Sequence, residues 1–165
     1  MTESLCPVQI GEMVISANPN DVLVVYGLGS CVAICLYDSA ARVGGLLHAL
    51  LPGHGWSKNG HGAPTRFVDQ GLPLLIEALL ARGAKLSRLT AKLCGGAQMV
   101  TIYETKRAMN IGEYNVLAAK HALRVAGLRL TGKVVGGQQG RTVKLYIATG
   151  QVTVKMMGQE KETPV

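Results

Sequence analysis

Two apolar runs separated by a short turn constrain the fold of this chain more than any other feature. Residues 32–37 are β-branched and apolar enough to form a buried strand, and residues 43–51 form a second apolar run. Small and polar residues between the runs supply a turn, and a Pro-Gly pair ends the second run. The pattern predicts a β-hairpin whose turn lies near residue 40. Cys31 is then opposite residue 48 or 49, which makes Cys31 and His48 neighbours across the two strands.

A cysteine beside a histidine is a minimal acyl-transfer pair. The cysteine attacks a carbonyl carbon as its thiolate, while the imidazole takes the thiol proton and later gives a proton to the leaving nitrogen. Gly27 and Gly29, just before Cys31, allow positive φ angles and close approach of a substrate. The alternative is that both residues belong to the core, because cysteine is often buried and a histidine in an apolar run is often a hydrogen-bonded core residue.

Short glycine-containing motifs follow one another along the chain. GLGSCVAICLYD begins at residue 27 and GGLLHALLP at residue 44, while IGE occupies 10–12, LCGGAQM 93–99, NIGEYN 110–115 and GGQQGR 136–141. Together these motifs resemble the CheD family of chemoreceptor glutamine deamidases, in the family's order. The resemblance covers residues 8–157 of a single CheD-like domain expected to span 1–165, and the charged residues 158–165 are expected to form a flexible tail.

The resemblance implies roles for three residues. The family nucleophile falls on Cys31 and its general base on His48. In some members a Thr six positions before the cysteine orients the histidine, but here that position is Val25, which has no hydrogen-bonding side chain. A backbone carbonyl, a water or another side chain must then orient His48. From the sequence, a Val25→Thr change is expected to raise turnover modestly with little loss of stability.

Backbone donors for the substrate or an oxyanion are expected in two glycine turns. Gly29 and Ser30 come just before the nucleophile, and Gly95 and Gly96 follow a strand predicted over 86–94. Free N–H groups in such turns can stabilise the negative oxygen that develops when a carbonyl is attacked. We therefore take these four residues as candidate substrate or oxyanion contacts.

Composition bounds the other possibilities. A chain of 165 residues that is 48% hydrophobic is long enough for one well-buried core. It has no secretory signal pattern and no run near the ~20 apolar residues of a membrane span, so we expect a cytoplasmic protein without membrane insertion. The four cysteines lack CxxC or Cys/His ligand spacing, and the loop over 53–65 has two histidines without cysteine or carboxylate partners. No metal and no cofactor are expected.

The positive charge of the chain indicates the kind of partner. There are 17 Lys and Arg against 10 Asp and Glu, which gives a formal net charge of +7. These charges are scattered, and a basic run, a helix-turn-helix pattern and abundant base-stacking aromatics are all lacking, so nucleic acid is not favoured. An acidic protein surface is the better complement, such as receptor helices rich in Glu and Gln.

Hydrophobic periodicity predicts the fold class. Helices are predicted over 65–82 and 112–126, and further strands over 8–15 at a sheet edge, 21–26, 86–94, 128–135, 142–148 and 151–157. Many strands with two main helices give a layered α/β (α+β) domain. The family resemblance implies three layers with mixed and antiparallel β-sheets, similar to the cytotoxic necrotizing factor deamidase domain.

Two functions follow from these observations. The first is an enzyme, a protein-glutamine glutaminase that converts glutamines of methyl-accepting chemotaxis receptors to glutamate by a Cys-His thioester mechanism. The second is a non-catalytic adaptor that docks receptor helices or a CheC-type phosphatase, an alternative supported by the absence of a hydroxyl at Val25. The mass of a receptor peptide after incubation separates them, because deamidation changes that mass and binding does not.

Overall fold

The hairpin lies at the centre of one of two mixed sheets. The structure is a computed structural model that describes residues 2–59, 61–99 and 110–165. Within these residues the elements are β1 (Ser4–Pro7), β2 (Met13–Ser16), β3 (Asp21–Leu28), β4 (Val32–Asp38), β5 (Val43–Ala49), α1 (Val68–Leu80), β6 (Thr90–Gly95), α2 (Ile111–Val125), β7 (Arg129–Val135), β8 (Arg141–Tyr146), β9 (Val152–Met156) and β10 (Thr163–Pro164). Short 3₁₀ helices occupy His54–Trp56, Pro64–Arg66 and Leu86–Arg88.

The two sheets have the orders β2-β5-β4-β6-β7 and β1-β3-β8-β9-β10. We call the first the hairpin sheet and the second the outer sheet. In each sheet one pair of strands is parallel, β6 with β7 and β1 with β3, and the other pairs are antiparallel. The sequence prediction of an α+β fold with mixed sheets and two main helices is confirmed.

Two apolar clusters divide the protein into three layers. One cluster joins both helices to the hairpin sheet, where β4 contributes Val32, Ile34 and Leu36. The other fills the space between the two sheets, where the alternate residues Ala33 and Cys35 point. Because β4 and β5 are buried on both faces, they read as continuous apolar runs rather than as alternating ones.

The register of the hairpin differs from the prediction. Ala33, not Cys31, pairs with His48. The turn accounts for the shift, because the Asp38 carboxylate accepts hydrogen bonds from the backbone N–H groups of Ala40 and Ala41 and lengthens the connection. Side chains two residues apart share a face, so Cys31 lies diagonally from His48 on the face toward the outer sheet.

Several predicted boundaries were wrong. The edge strand predicted over 8–15 begins at Met13, because the preceding residues cross from the outer sheet to the hairpin sheet through Gly11, whose φ is +78°. The predicted helix over 65–82 begins at Val68, after the 3₁₀ helix, and the predicted strand over 86–94 begins at Thr90. In each case a short turn of 3₁₀ helix or a glycine interrupts an otherwise continuous hydrophobic pattern.

The predicted flexible tail contains a strand. Thr163 and Pro164 form β10, which pairs with β9 in the outer sheet. The Glu162 carboxylate accepts hydrogen bonds from Lys144 and Tyr146 on β8, the strand on the other side of β9. The pairing of so short a strand is set by these tertiary contacts, which a charged sequence does not reveal.

Candidate functional site

Cys31 and His48 line the same small cavity. Its volume is about 160 Å³. Its walls come from the end of β1, from residues 8–12, which we call the crossing segment, from β3 and the turn after it, and from the two candidate residues. The lining residues are Pro7, Val8, Gln9, Ile10, Val24, Tyr26, Gly27, Gly29, Cys31 and His48. A larger apolar cavity of about 630 Å³ lies between α1 and α2 and contains neither residue. The smaller cavity is the candidate site, because the Cys31 thiol and the His48 imidazole line it.

The Cys31 backbone is fixed by the loop that follows β6. Gly96 N–H donates to the Cys31 carbonyl at 2.8 Å, and Ala97 N–H donates to the Gly29 carbonyl at 2.9 Å. Gly95 has a φ of +106°, and a Cβ at this position would come within 2.3 Å of the Cys31 carbonyl oxygen. Only glycine therefore allows this loop to approach so closely.

The four candidate oxyanion residues fall into two pairs with different roles in the structure. The N–H of Gly96 is already bonded to the Cys31 carbonyl, so Gly95 and Gly96 support the backbone of the cysteine. The N–H groups of Gly29 and Ser30 have no hydrogen-bond partner within residues 2–59, 61–99 and 110–165, and that of Cys31 interacts with the residue's own thiol. These three consecutive donors beside the Cys31 thiol are the backbone groups available to an oxyanion.

His48 is oriented by a backbone carbonyl. Its Nδ1 lies 3.1 Å from the carbonyl oxygen of Val8. A carbonyl oxygen only accepts, so Nδ1 carries the proton and Nε2 keeps its lone pair. The Val8 carbonyl thus takes the orienting role that the sequence left open, and Nε2 is the atom that can act as a base.

The two candidate residues are neutral partners in the resting protein. Cys31 is 6% exposed and His48 is 4% exposed. Burial raises the pKa of the Cys31 thiol, and the residue's own backbone N–H partly offsets this. Burial lowers the pKa of His48, and the hydrogen bond to Val8 and the charge of Glu12 partly offset that change. At neutral pH the pair is therefore a thiol beside an imidazole, as a general-base mechanism requires.

These pKa shifts predict the pH dependence of the cysteine. Alkylation of Cys31 by iodoacetamide needs the thiolate, so its rate should rise with pH and reach half its maximum above the value of ~8.5 typical of a free cysteine. The rate is measured by mass mapping of the Cys31 peptide across a pH series, with a cysteine-containing model peptide as control. A midpoint well below that of the model peptide would show a preformed thiolate instead.

Val25 is completely buried in the cluster between the sheets, which also contains Val8 and Cys31. Because the Val8 carbonyl already holds His48, a hydroxyl at this position adds no orientation that is missing. We now expect Val25→Thr to lower the free energy of unfolding by about 1–2 kcal/mol, the usual cost of a buried unpaired hydroxyl. Turnover should change by less than about twofold, in contrast to the rise expected from the sequence.

Denaturant unfolding and deamidation rates of Val25→Thr and of Val25→Ala test this expectation. The alanine variant removes packing without adding a polar group, so it separates cavity formation from the cost of the hydroxyl. A Val25→Thr protein that is as stable as the native one and clearly faster would show that the hydroxyl does reach His48.

The loop over 53–65, with its two histidines, lies apart from the cavity. His54 packs edge-on against Phe67, and Trp56 packs against Tyr114 with ring centroids 5.0 Å apart. Within the part of the chain that the structure describes, no three His, Cys, Asp or Glu residues group closely enough to hold a metal. In the same residues, none of the helices has the length and apolar character needed to cross a membrane.

Two contributors to the site were not found from the sequence. The Val8 carbonyl is a backbone group 40 residues from His48, and any residue type could supply it. Asn115 on α2 donates to the carbonyl of Ser30, next to the candidate nucleophile. A lone Asn among the apolar residues of a predicted helix was the available signal for this second contact.

Comparison with known proteins identifies the family. The family model described as CheD chemotactic sensory transduction matches residues 50–156. Relatives named probable chemoreceptor glutamine deamidase CheD are 43% identical in Desulforamulus reducens, over 92% of this chain and 90% of theirs, and 44% identical in Pyrococcus horikoshii, over 93% of each. The chemoreceptor glutamine deamidase CheD of Thermotoga maritima is 41% identical over 90% of each chain. This chain belongs to the CheD family.

The matches cover the site unequally. The family model begins after both Cys31 and His48, so it does not bear on their roles. Among solved structures, a protein of Neisseria meningitidis superposes with a TM-score of 0.44 at 11% identity, over 76% of this chain and 51% of its own. That likeness is too distant to add to the description of the fold or the site.

Proposed function

We propose that this protein hydrolyses the side-chain amide of glutamines in the cytoplasmic helices of chemoreceptors, giving glutamate and ammonia. The observation that carries the proposal is the cavity shared by Cys31 and His48, in which the Val8 carbonyl leaves Nε2 of His48 as an acceptor. The relatives' names supply the substrate class. The proposal places the protein in the cytoplasm, where such helices lie.

The proposed reaction has two halves. In the first, Nε2 of His48 takes the Cys31 proton, Sγ attacks the amide carbon, and the resulting oxyanion is stabilised by N–H groups of the glycine turn, including that of Cys31. The protonated His48 then gives its proton to the leaving nitrogen, and ammonia departs from a thioester. In the second half, His48 activates a water that hydrolyses the thioester and restores the thiol.

The surroundings of the cavity suit a protein substrate. A volume of about 160 Å³ accommodates a side-chain amide but is small for a free drug-sized ligand. Ile10 and Tyr26 line the cavity and are largely exposed, and Met99, also half-exposed, packs against the Gly29 position. This apolar rim can contact the helix that carries the glutamine, while the net charge of +7 attracts acidic receptor surfaces.

The test is incubation with the cytoplasmic fragment of a chemoreceptor, followed by peptide mass mapping and an ammonia assay. We expect selected glutamines to become glutamate, with one ammonia released for each. The matched control is protein whose Cys31 has been alkylated beforehand. A folded protein that binds the fragment and leaves every glutamine intact would rule out the enzymatic function.

The exposed apolar rim also supports a second proposal, docking of a CheC-type phosphatase over the cavity. Large exposed apolar side chains around a site are typical of protein interfaces. If the phosphatase covers the rim, it should compete with the receptor fragment and slow alkylation of Cys31. Alkylation that is unchanged at saturating phosphatase would place any such contact elsewhere.

A further inference from the structure

Asn115 is a buried amide on α2 that the mechanism above does not use. Its side chain is 0% exposed. Its neighbours on the same face of the helix are apolar core residues: Val116, Ala119 and Leu123. Burying an amide among such residues costs stability unless the group is hydrogen-bonded. The hydrogen-bond partners of the Asn115 side chain should therefore indicate its role.

Both hydrogens of the Asn115 amide are used. Nδ2 donates to the Ser30 carbonyl at 2.9 Å and to the Leu50 carbonyl at 3.0 Å. Both partners only accept, so the nitrogen, and not the oxygen, must face them. Oδ1 has no hydrogen-bond partner within residues 2–59, 61–99 and 110–165. The position thus keeps an unsatisfied oxygen in order to supply two donors.

The two carbonyls lie just outside β4 and β5, close in sequence to the candidate catalytic residues. Ser30 immediately precedes Cys31, and Leu50 follows His48 by two residues. The ladder between these strands ends at the pair Val32 and Ala49. Asn115 therefore joins the residue before Cys31 to the residue after β5, just beyond the last pair of the ladder.

The bond to Ser30 also fixes the direction of the next N–H group. The Ser30 carbonyl and the Cys31 N–H belong to one planar peptide unit and point in opposite directions. When the carbonyl is held against Asn115, the Cys31 N–H must point away from it. Asn115 lies on α2, whereas the Cys31 side chain packs in the cluster between the two sheets, so this N–H points toward the side on which the thiol lies.

We propose that Asn115 is a positioning residue that holds the Ser30–Cys31 peptide so that the Cys31 N–H faces the oxyanion formed during attack. Asn115 itself contacts neither the sulfur nor the substrate, and its effect passes through this one peptide group. The inference rests on the proposed function, because it assigns Cys31 as the attacking residue.

Two reagents that differ only in the need for an oxyanion test the proposal. p-Nitrophenyl acetate acylates Cys31 through a tetrahedral oxyanion, forming an S–C bond as p-nitrophenolate leaves. Iodoacetamide alkylates the same sulfur by direct displacement of iodide, without an oxyanion. Both rates are measured on the Cys31 peptide across a pH series, and the plateau rates of the fully ionised thiol are compared. This comparison removes any change in the thiol pKa.

Asn115→Leu keeps the volume of the side chain and removes both donors. We expect its plateau acylation rate to fall by about 10- to 100-fold, toward the effect of losing one oxyanion donor. Alkylation should stay within about twofold of the native rate. With a receptor fragment, kcat should fall by the same factor as acylation while KM changes by less than about twofold. Asn115→Ala replaces this variant if it does not fold.

Asn110→Ala is the matched control. Asn110 caps the same helix, since its side chain accepts from the Glu113 N–H at 3.0 Å, and it does not contact the Ser30–Cys31 peptide. This control should destabilise α2 and leave the ratio of acylation to alkylation unchanged. Equal loss of both rates in folded Asn115→Leu, or no loss of acylation, would overturn the positioning role.

The two proposals fail in different ways. Native protein that is acylated at Cys31, with the expected dependence on Asn115, but converts no receptor glutamine would contradict the proposed substrate and uphold the positioning role. Native protein that deamidates receptors at a rate independent of Asn115 would uphold the enzyme and overturn the positioning role.

Discussion

Replacing Cys31 by alanine should abolish glutamine deamidation and leave the protein folded. The thiolate has no substitute in the cavity, because the other lining side chains are apolar or amide groups apart from His48 and the Tyr26 phenol. The loss of one small buried group should lower the free energy of unfolding by only about 1 kcal/mol. Peptide mass mapping of a receptor fragment, with circular dichroism of the variant, measures both effects.

Cys35 and Cys94 provide matched controls for that experiment. Both are buried in the same cluster between the sheets as Cys31, and neither lines the cavity. Burial raises the pKa of the Cys94 thiol to about 11, so it is a poor nucleophile at neutral pH. Their alanine variants should lose similar stability and keep full activity. Conversion by Cys31→Ala, or its loss only in Cys94→Ala, would move the nucleophile elsewhere.

The pairing of cysteine and histidine on one face could be predicted from the sequence because it depends on the strand repeat. Two buried strands joined by a short turn must pair, and side chains then alternate between the helix layer and the outer sheet. Cys31 and His48 share a face in the observed register as in the predicted one. The observed register makes them diagonal rather than direct neighbours. Residue types alone do not give the length of the turn that the Asp38 hydrogen bonds form.

The groups that orient the pair could not be predicted in this way. The Val8 carbonyl and the Ser30–Cys31 peptide are backbone groups, and their identity leaves no mark in the sequence. Both depend on contacts between segments far apart in the chain. Val8 reaches His48 because Gly11 turns the chain from one sheet to the other, whereas the sequence pattern predicts a continuous strand there.

Two separate parts of the fold hold Cys31 and His48 in place by hydrogen bonds. The crossing segment holds the imidazole through Val8, while α2 holds the peptide before Cys31, the candidate nucleophile, through Asn115. Neither contact requires a charged group, which agrees with a resting pair that is neutral. In the proposed reaction, charge therefore develops only when a substrate amide enters the cavity.

Loss of the imidazole should therefore stop the reaction before it begins. We expect His48→Ala to lower kcat by about 10²- to 10⁴-fold, the usual contribution of a general base, and to change the Kd for a receptor fragment by less than about threefold. In the native protein kcat/KM should rise with pH as His48 loses its proton, with a midpoint below ~6.5, because burial lowers its pKa. The variant should lose this rise.

His48→Asn is the informative companion variant. An Asn side-chain amide can donate to the Val8 carbonyl as Nδ1 does, but it offers no basic nitrogen. If His48 acts as the base, the Asn variant should be as inactive as His48→Ala and more stable, because the Val8 carbonyl keeps its partner. Rates from receptor deamidation, Kd values from titration and unfolding midpoints give the three measurements. Equal losses of binding and turnover in both variants would instead make His48 a docking residue.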